Sequence, residues 1–117
     1  MAEKRKELIS IVVPSFNEQE SLPIFYKETV KILKSLKMNY EIIFVDDGSK
    51  DDTLEEIIKL NKKDKNVNYI SFSRNFGKES AMYAGLKNAK GDYVAVMDAD
   101  LQHSPKIIPD MLKILQN

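Results

Sequence analysis

The segment YEIIFVDDGS, residues 40–49, joins a short apolar run to a cluster of acidic and turn-forming residues. A continuous run of β-branched and aromatic residues is typical of a strand that is buried on both faces, as in a parallel sheet. Runs of the same kind occur on either side of it along the chain. The predicted strands are Leu8–Val13, Tyr40–Val45, Val67–Phe72 and Tyr93–Met97.

Helical patterns alternate with these strands, and they cover Ser21–Lys37, Thr53–Asp64, Lys78–Ala89 and Pro105–Leu115. Ser21 is the predicted N-cap of the first helix, and Gly91 is the predicted left-handed residue after the third. Pro109 conflicts with a regular helix that starts at Pro105, so the last helix either kinks or begins near Ile107. The alternation predicts an α/β, Rossmann-like fold with a mainly parallel sheet and helices on both faces.

Composition excludes several classes of function. The chain has 117 residues, 43% of them hydrophobic, which suits one domain with a core. Its 18 basic and 18 acidic residues cancel, so it lacks the basic excess of a general nucleic-acid binder. The absence of cysteine excludes disulfides and zinc–thiolate sites and suits the cytoplasm. No apolar run approaches the ~20 residues of a membrane-spanning helix.

Polar residues follow each predicted strand at the point where it ends. They form the clusters PSFNE (14–18), DDGS (46–49), SRNFGK (73–78) and DADLQH (98–103). Because the carboxyl ends of parallel strands meet at one edge of a sheet, we expect these clusters to lie together. Helix caps explain one or two of them, whereas all of them together indicate a binding site.

The cluster after the last strand has the pattern of a metal site. In an extended segment, Asp98, Asp100 and Gln102 would point the same way. Carboxylate and amide oxygens suit Mg²⁺ or Mn²⁺, and Mg²⁺ is usually held by one or two carboxylates together with substrate phosphates. The simpler interpretation is that one of these acids caps the next turn, since a D-x-D pattern alone is common by chance.

The clusters after the first two strands each have two interpretations. Gly48 permits a sharp turn, and Asp46 and Asp47 could either start the next helix or accept hydrogen bonds from a ribose or a base. Glu18 could likewise begin a helix or accept from a ribose. Phe16 could pack in the core or stack on a base.

The third cluster precedes a helix. Gly77 and Lys78 would favour an anion at the helix N-terminus, and Lys78 would add a charge for phosphate. Arg74 is as consistent with a structural ion pair as with a ligand contact, and His103, the only histidine, is more simply polar surface. The patterns of a P-loop NTPase and of a dinucleotide dehydrogenase are absent.

Together these motifs resemble a known family. The strings VVPSFNE, VDDGSKDDT and SRNFGKESAMYAGLKNAKGDYVAVMDADLQHSP are similar to the donor-binding half of inverting glycosyltransferases of family 2. They are most similar to the polyprenyl-phosphate branch, which includes dolichyl-phosphate mannose synthases and bactoprenol glucosyltransferases. The resemblance covers nearly the whole chain.

The resemblance implies a GT-A fold, a nucleotide diphosphate-sugar donor and Mg²⁺ or Mn²⁺. It implies that Pro14, Phe16 and Glu18 contact the donor, that Val45, Asp46 and Asp47 contact its base and ribose, and that Gly77 and Lys78 lie near it. It also implies that Asp98, Asp100 and Gln102 form the metal and diphosphate motif. Asp98 is then a nucleotide-sugar contact as well as a metal ligand, because the first acid of this motif often contacts sugar or ribose.

Family members continue beyond the length of this chain. We therefore expect residues 1–117 to be the nucleotide-sugar-binding part of a domain truncated at its C-terminus, with the catalytic general base in the missing part. The resemblance implies a polyprenyl phosphate acceptor in glycan or cell-wall biosynthesis, at the cytoplasmic face of the membrane for a longer parent enzyme. Apolar surface left exposed by the truncation would allow the chain to form a homo-oligomer.

Two other classes of function remain open from the residues alone. A flavodoxin-like receiver or regulatory module could bind Mg²⁺ through Asp46 and Asp47, without transferase activity. A purely structural or interaction domain is the other alternative. The receiver interpretation leaves the acids at Asp98 and Asp100 without a role.

Overall fold

The computed structural model describes residues 7–100 and 105–116. Its elements are β1 (Leu8–Ser15), α1 (Ser21–Ser35), β2 (Asn39–Asp46), α2 (Thr53–Lys63), β3 (Val67–Ser71), α3 (Lys78–Asn88), β4 (Tyr93–Val96), a 3₁₀ turn (Pro105–Ile107) and α4 (Ile108–Gln116). The predicted alternation of strands and helices is therefore confirmed. The 3₁₀ turn removes the conflict at Pro109, because α4 begins one residue before this proline, where a missing N–H costs little.

The sheet is parallel throughout and has the strand order β3-β2-β1-β4. The chain adds β2 and β3 on one side of β1 and then returns to add β4 on the other side. The order in which the chain adds strands to the sheet therefore reverses between β1 and β4, although all the strands stay parallel. In open α/β sheets such a reversal leaves a crevice at the carboxyl ends of the two strands that flank it, here β1 and β4, where ligands bind.

Helices cover both faces of the sheet, as predicted, but unequally. The larger core packs α1, α2 and α4 on one face, and it includes Phe25 and Phe44, whose ring centroids lie 6.4 Å apart. The smaller core packs α3 on the other face, where Ala81 meets Ile43 and Val45. Small residues let α3 approach the sheet closely. The chain crosses to this second face between β3 and β4, and the crossing brings the N-terminus of α3 to the crevice.

Burial of the strands differs from the prediction. We expected all of them to be buried on both faces, and this holds for β1 and β2, which are buried along nearly their whole length. It is wrong for β3 and β4, where Tyr69 and Val94 are each 39% exposed. These two strands lie at the ends of the described sheet, so each has a neighbouring strand on one side only.

Two predicted helix ends are also wrong. Ser21 is the first residue of α1 and not its cap, and its hydroxyl donates to the Glu18 carboxylate at 2.9 Å. Helix α3 ends at Asn88 and is followed by Ala89, which is extended and not left-handed, and Gly91 lacks a positive φ. Gly91 is required for a different reason, since a Cβ there would lie 2.5 Å from the Ser10 hydroxyl.

Across the described residues, no helix is both long and apolar enough to cross a membrane.

A half-buried carboxylate joins three elements at the edge opposite the crevice. Asp64, at the end of α2, accepts hydrogen bonds from the hydroxyls of Tyr26 at 2.7 Å and Tyr40 at 2.9 Å, and from the Asn66 N–H at 2.9 Å. Burial raises the pKa of Asp64, but these donors and the charge of Lys34 outweigh it, so the pKa lies below its ordinary value. Burial and the same carboxylate raise the pKa of both tyrosines.

The lowered pKa of Asp64 predicts a loss of stability in acid. A carboxyl whose pKa is lower in the folded state stabilises the fold above its unfolded pKa, and this contribution is lost as the pH falls through the folded pKa. Urea unfolding between pH 7 and pH 2.5 measures it. We expect Asp64→Asn to flatten the acid limb of the stability profile, while Asp52→Asn, at an exposed cap without a side-chain hydrogen bond, leaves that limb unchanged. Equal acid limbs in wild type and Asp64→Asn would contradict the assignment.

Candidate functional site

A cleft of about 270 Å³ opens at the carboxyl edge of the sheet, at the reversal between β1 and β4. Loops that follow β1, β2 and β4 contribute to its lining, together with the first residue of α3. Its lining residues are Pro14, Ser15, Phe16, Glu18, Asp47, Lys78, Asp98, Ala99 and Asp100. The prediction that polar clusters from separate loops converge at one edge is therefore confirmed.

The loops after β1 and β2 are joined by reciprocal hydrogen bonds. The Asn17 N–H donates to the Ser49 hydroxyl at 2.9 Å, and the Lys50 N–H donates back to the Asn17 side chain at 2.9 Å. Gln19 accepts from the Asp52 N–H at 2.9 Å in the same way. Asn17 has a left-handed φ of 54°, which asparagine adopts more readily than most residues. The two loops therefore form one rigid wall beside the cleft.

Asp51 strengthens this wall. Its carboxylate accepts from the Thr53 hydroxyl at 2.5 Å, from the Thr53 N–H at 3.0 Å and from the Gln19 N–H at 3.4 Å. Desolvation raises the pKa of Asp51, but these hydrogen bonds outweigh it and the pKa lies below its ordinary value. The carboxylate is thus ionised at neutral pH and continues to accept the bond from the Gln19 N–H, which joins the two loops.

Asp47 holds the loop that leads from β3 into α3. One of its oxygens accepts from the Phe76 N–H at 2.8 Å and the other from the Gly77 N–H at 3.2 Å. Its own N–H donates to the Ser15 carbonyl at 2.8 Å. The carboxylate is buried and shows one edge to the cleft, so it fixes the position of the residue that follows Gly77, which is Lys78.

Asp46 has a different environment from its neighbour. Its side chain is buried, does not line the cleft, and accepts from the Ser49 N–H at 3.2 Å, which closes the turn after β2. Both acids of the pair thus bind backbone N–H groups of loops. Such carboxylates are not arranged as an open magnesium site, and the geometry does not favour a receiver module.

Gly48 lies beneath the loop that leads into α3. Its φ is +70°, in the left-handed region, and a Cβ there would collide with the backbone of Arg74 and Asn75. Glycine is therefore required both by the turn and by the close approach of the two loops.

Arg74 stacks on the Phe76 ring, with its guanidinium 4.8 Å from the ring centroid. This contact favours a structural role for the arginine over contact with a ligand.

Lys78 and Asp98 form an ion pair inside the cleft. The ammonium lies 2.8 Å from each oxygen of the Asp98 carboxylate. The lysine side chain is 59% exposed and that of Asp98 is 25% exposed. Lys78 is the first residue of α3, and Asp98 lies just after β4, the strand that follows α3. The ion pair therefore joins the start of this helix to the loop after the next strand.

Asp100 and Asp98 both line the cleft, with the buried Ala99 between them. The prediction that they share one side is confirmed. The predicted extended conformation is wrong, however, because β4 ends at Val96 and residues 99–100 form a turn. Within this segment Ala99 is buried, whereas Asp98 and Asp100 are partly exposed.

Two further predicted residues of the described part of the chain, Val45 and Gly77, lie outside the cleft lining. Val45 is fully buried beneath α3, and Gly77 contributes its N–H to Asp47. Gln102 and His103 lie outside the described residues. Ser15 and Ala99 line the cleft and were not predicted, although each is a direct neighbour of a predicted residue.

The donor set suits a hard divalent cation that is shared with a ligand. Within residues 7–100 and 105–116, no group of three or more potential ligand side chains is placed to hold a metal alone. The cleft instead offers the carboxylates of Asp98 and Asp100, and Mg²⁺ is commonly held by one or two carboxylates with phosphates completing its shell. Asp98 already holds a cationic group, the Lys78 ammonium. The residues therefore fit Mg²⁺ or Mn²⁺ in the presence of a diphosphate.

Comparison with known proteins identifies the family. The profile of the family described as "Glycosyl transferase family 2" matches residues 10–117, which is nearly the whole chain. The match includes most of β1, all of the other strands and every loop around the cleft. It agrees with the resemblance found in the sequence motifs.

Individual relatives are longer proteins. The chain is 49% identical over 106 residues to the bactoprenol glucosyl transferase of Shigella phage SfV, covering 90% of this chain and 34% of the relative. It is 45% identical over 107 residues to the undecaprenyl-phosphate 4-deoxy-4-formamido-L-arabinose transferase of Proteus mirabilis, covering 89% and 32%. The chain thus spans about one third of the length of these relatives.

Solved structures share the fold. The crystal structure of S. aureus TarS 1-349 in complex with UDP superimposes with a TM-score of 0.63 at 27% identity, covering 79% of this chain and 27% of that one. The predicted Rossmann-like architecture is thereby confirmed as that of GT-A glycosyltransferases.

Proposed function

This chain belongs to glycosyl transferase family 2, and we propose that it supplies the nucleotide-sugar-binding part of an enzyme that transfers a sugar to polyprenyl phosphate. The observation that carries the proposal is the cleft at the strand reversal, where a lysine and several carboxylates from separate loops converge. The names of the bactoprenol and undecaprenyl-phosphate relatives support the acceptor class, and the UDP complex of the TarS structure supports a nucleoside diphosphate donor.

The wall of the cleft suits the nucleoside. Phe16 is 40% exposed and lines the cleft, so its ring is available to stack on a base. The Glu18 side chain lines the cleft, and its carboxylate would accept a hydrogen bond from a ribose hydroxyl. Val45, Asp46 and Asp47 would act chiefly by shaping the turn, since their side chains are buried and the two acids accept backbone bonds.

The diphosphate is proposed to lie where Lys78 begins α3. A helix N-terminus favours negative charge, and the Lys78 ammonium would donate to a phosphate oxygen. Asp100 and Asp98 would hold Mg²⁺ or Mn²⁺, together with Gln102. When bound, the cation would neutralise charge on the departing nucleoside diphosphate.

Inversion at the sugar would follow from a single in-line displacement. A phosphate acceptor is already anionic, so the reaction requires only modest help from a general base. We place that base, and the surface that binds the lipid, outside residues 1–117. The chain alone is thus proposed to bind donor without transferring sugar.

A thermal-shift screen of UDP, GDP and ADP, each with and without Mn²⁺, tests the proposal. A ligand at 100 times its Kd stabilises a protein by about 2.7 kcal/mol, so the expected rise in Tm is several degrees. We expect at least one nucleoside diphosphate to raise Tm with Mn²⁺ and its monophosphate, the matched control, to raise it less. If no nucleoside diphosphate raised Tm in the presence of Mn²⁺, the proposed function would be wrong.

A further inference from the structure

We propose that Lys78 is an internal substitute for the divalent cation: it occupies Asp98 in the donor-free protein and makes metal binding depend on the diphosphate. This inference rests on the proposed function and adds an order of events to it. Lys78 would leave Asp98 when a diphosphate offers its ammonium new acceptors. The carboxylate would then become available to the metal or to the donor sugar.

The geometry of the ion pair is the first support. The Lys78 ammonium lies 2.8 Å from both oxygens of Asp98, and both side chains line the cleft beside Asp100. A divalent cation that bound Asp98 through either oxygen would lie within a few ångströms of this ammonium. Two positive charges at that separation repel each other, so the two arrangements exclude one another.

The position of Lys78 is set by contacts outside the pair. Asp47 binds the N–H groups of Phe76 and Gly77, and Gly77 has a φ of +104°. These contacts fix the backbone at the start of α3 while leaving the four-carbon side chain of Lys78 free to rotate. The ammonium can therefore change partner without moving the helix.

The exchange is favourable only when a diphosphate is present. The pair is only partly shielded from solvent, since the lysine side chain is 59% exposed and the Asp98 side chain is 25% exposed, so a modest free energy holds Lys78 on Asp98. Phosphate oxygens are strong acceptors for an ammonium, and Lys78 on a diphosphate would no longer repel a cation at Asp98. Because linkage is reciprocal, the nucleotide should raise Mn²⁺ affinity by the same factor as Mn²⁺ raises nucleotide affinity.

Titration of Mn²⁺ into the chain without nucleotide, followed by electron paramagnetic resonance of free Mn²⁺, tests the inference. We expect Lys78→Met to bind Mn²⁺ at least fivefold more tightly than wild type. Lys78→Arg keeps the positive charge, so its Mn²⁺ affinity should stay within twofold of wild type. Lys87→Met is the matched control, because it removes the same charge from an exposed site at the other end of α3.

The same variants are then titrated with Mn²⁺ in the presence of UDP and of GDP. We expect the effective nucleotide to raise Mn²⁺ affinity strongly in wild type and much less in Lys78→Met. Unchanged Mn²⁺ affinity of Lys78→Met without nucleotide, in a chain that still binds UDP or GDP with Mn²⁺, would overturn this inference alone. Failure of wild type to bind UDP, GDP or ADP in the presence of Mn²⁺ would overturn the proposed function and this inference with it.

Discussion

Gly48→Ala is expected to lower the free energy of unfolding by about 2–5 kcal/mol, combining ~1–2 kcal/mol for a left-handed residue with a Cβ and ~1–3 kcal/mol for the collision. The collision is with the backbone of Arg74 and Asn75, which cannot rotate away as a side chain could. The loop into α3 must therefore shift, and the two hydrogen bonds to Asp47 must lengthen. Urea unfolding monitored by circular dichroism measures the loss.

Gly77→Ala provides the matched control. Its φ of +104° is also positive, but no atom lies within 4 Å of a Cβ built there, so only backbone strain of ~1–3 kcal/mol applies. We expect Gly48→Ala to lose more stability than Gly77→Ala, because only the substitution at Gly48 forces a Cβ against another backbone segment. A Gly48→Ala variant as stable as wild type would show that the two loops do not approach as the structure describes.

Asp100→Asn is expected to abolish the metal-dependent part of nucleotide binding. The substitution keeps the size of the side chain and removes the charge that would hold Mg²⁺ or Mn²⁺. Loss of a group that merely supports a ligand costs 10–100-fold in metal affinity, so loss of a ligand should cost roughly tenfold or more. Calorimetric titration of UDP or GDP, with and without Mn²⁺, measures the effect.

In wild type, Mn²⁺ should tighten nucleotide binding, whereas in Asp100→Asn the affinities with and without Mn²⁺ should coincide. Asp110→Asn is the control, because it removes the same charge from an exposed position on α4. If Mn²⁺ tightened nucleotide binding equally in Asp100→Asn and wild type, the metal role of Asp100 would be wrong.

The order of secondary structure was predictable because the strands are short apolar runs and the helices other than α3 repeat their apolar residues with the period of a helix. The polar clusters after the strands predicted the edge where the cleft lies, since parallel strands all end at the same edge. The family followed from the motifs, and the profile match confirms it. These inferences use residues that are close together in the chain.

The exposure of β3 and β4 and the conformation after β4 could not be predicted in this way. Tyr69 and Val94 look like buried strand residues in the sequence, and only the strand order places them at the ends of the described sheet. Gly91 looks like a helix terminator, yet it is glycine because Ser10, far away in the chain, lies against it. Local pattern is a poor guide wherever a distant neighbour decides the environment.

The amino-acid sequence alone determined the alternating elements, the family and the edge of the sheet that carries the cleft. Tertiary structure alone decided the partners of the acids: Asp47 binds the loop into α3, and Asp98 binds Lys78. The physical reason is that a hydrogen bond or an ion pair depends on separations of about 3 Å. Residues far apart in the chain reach such separations only after the sheet has formed and α3 has crossed it.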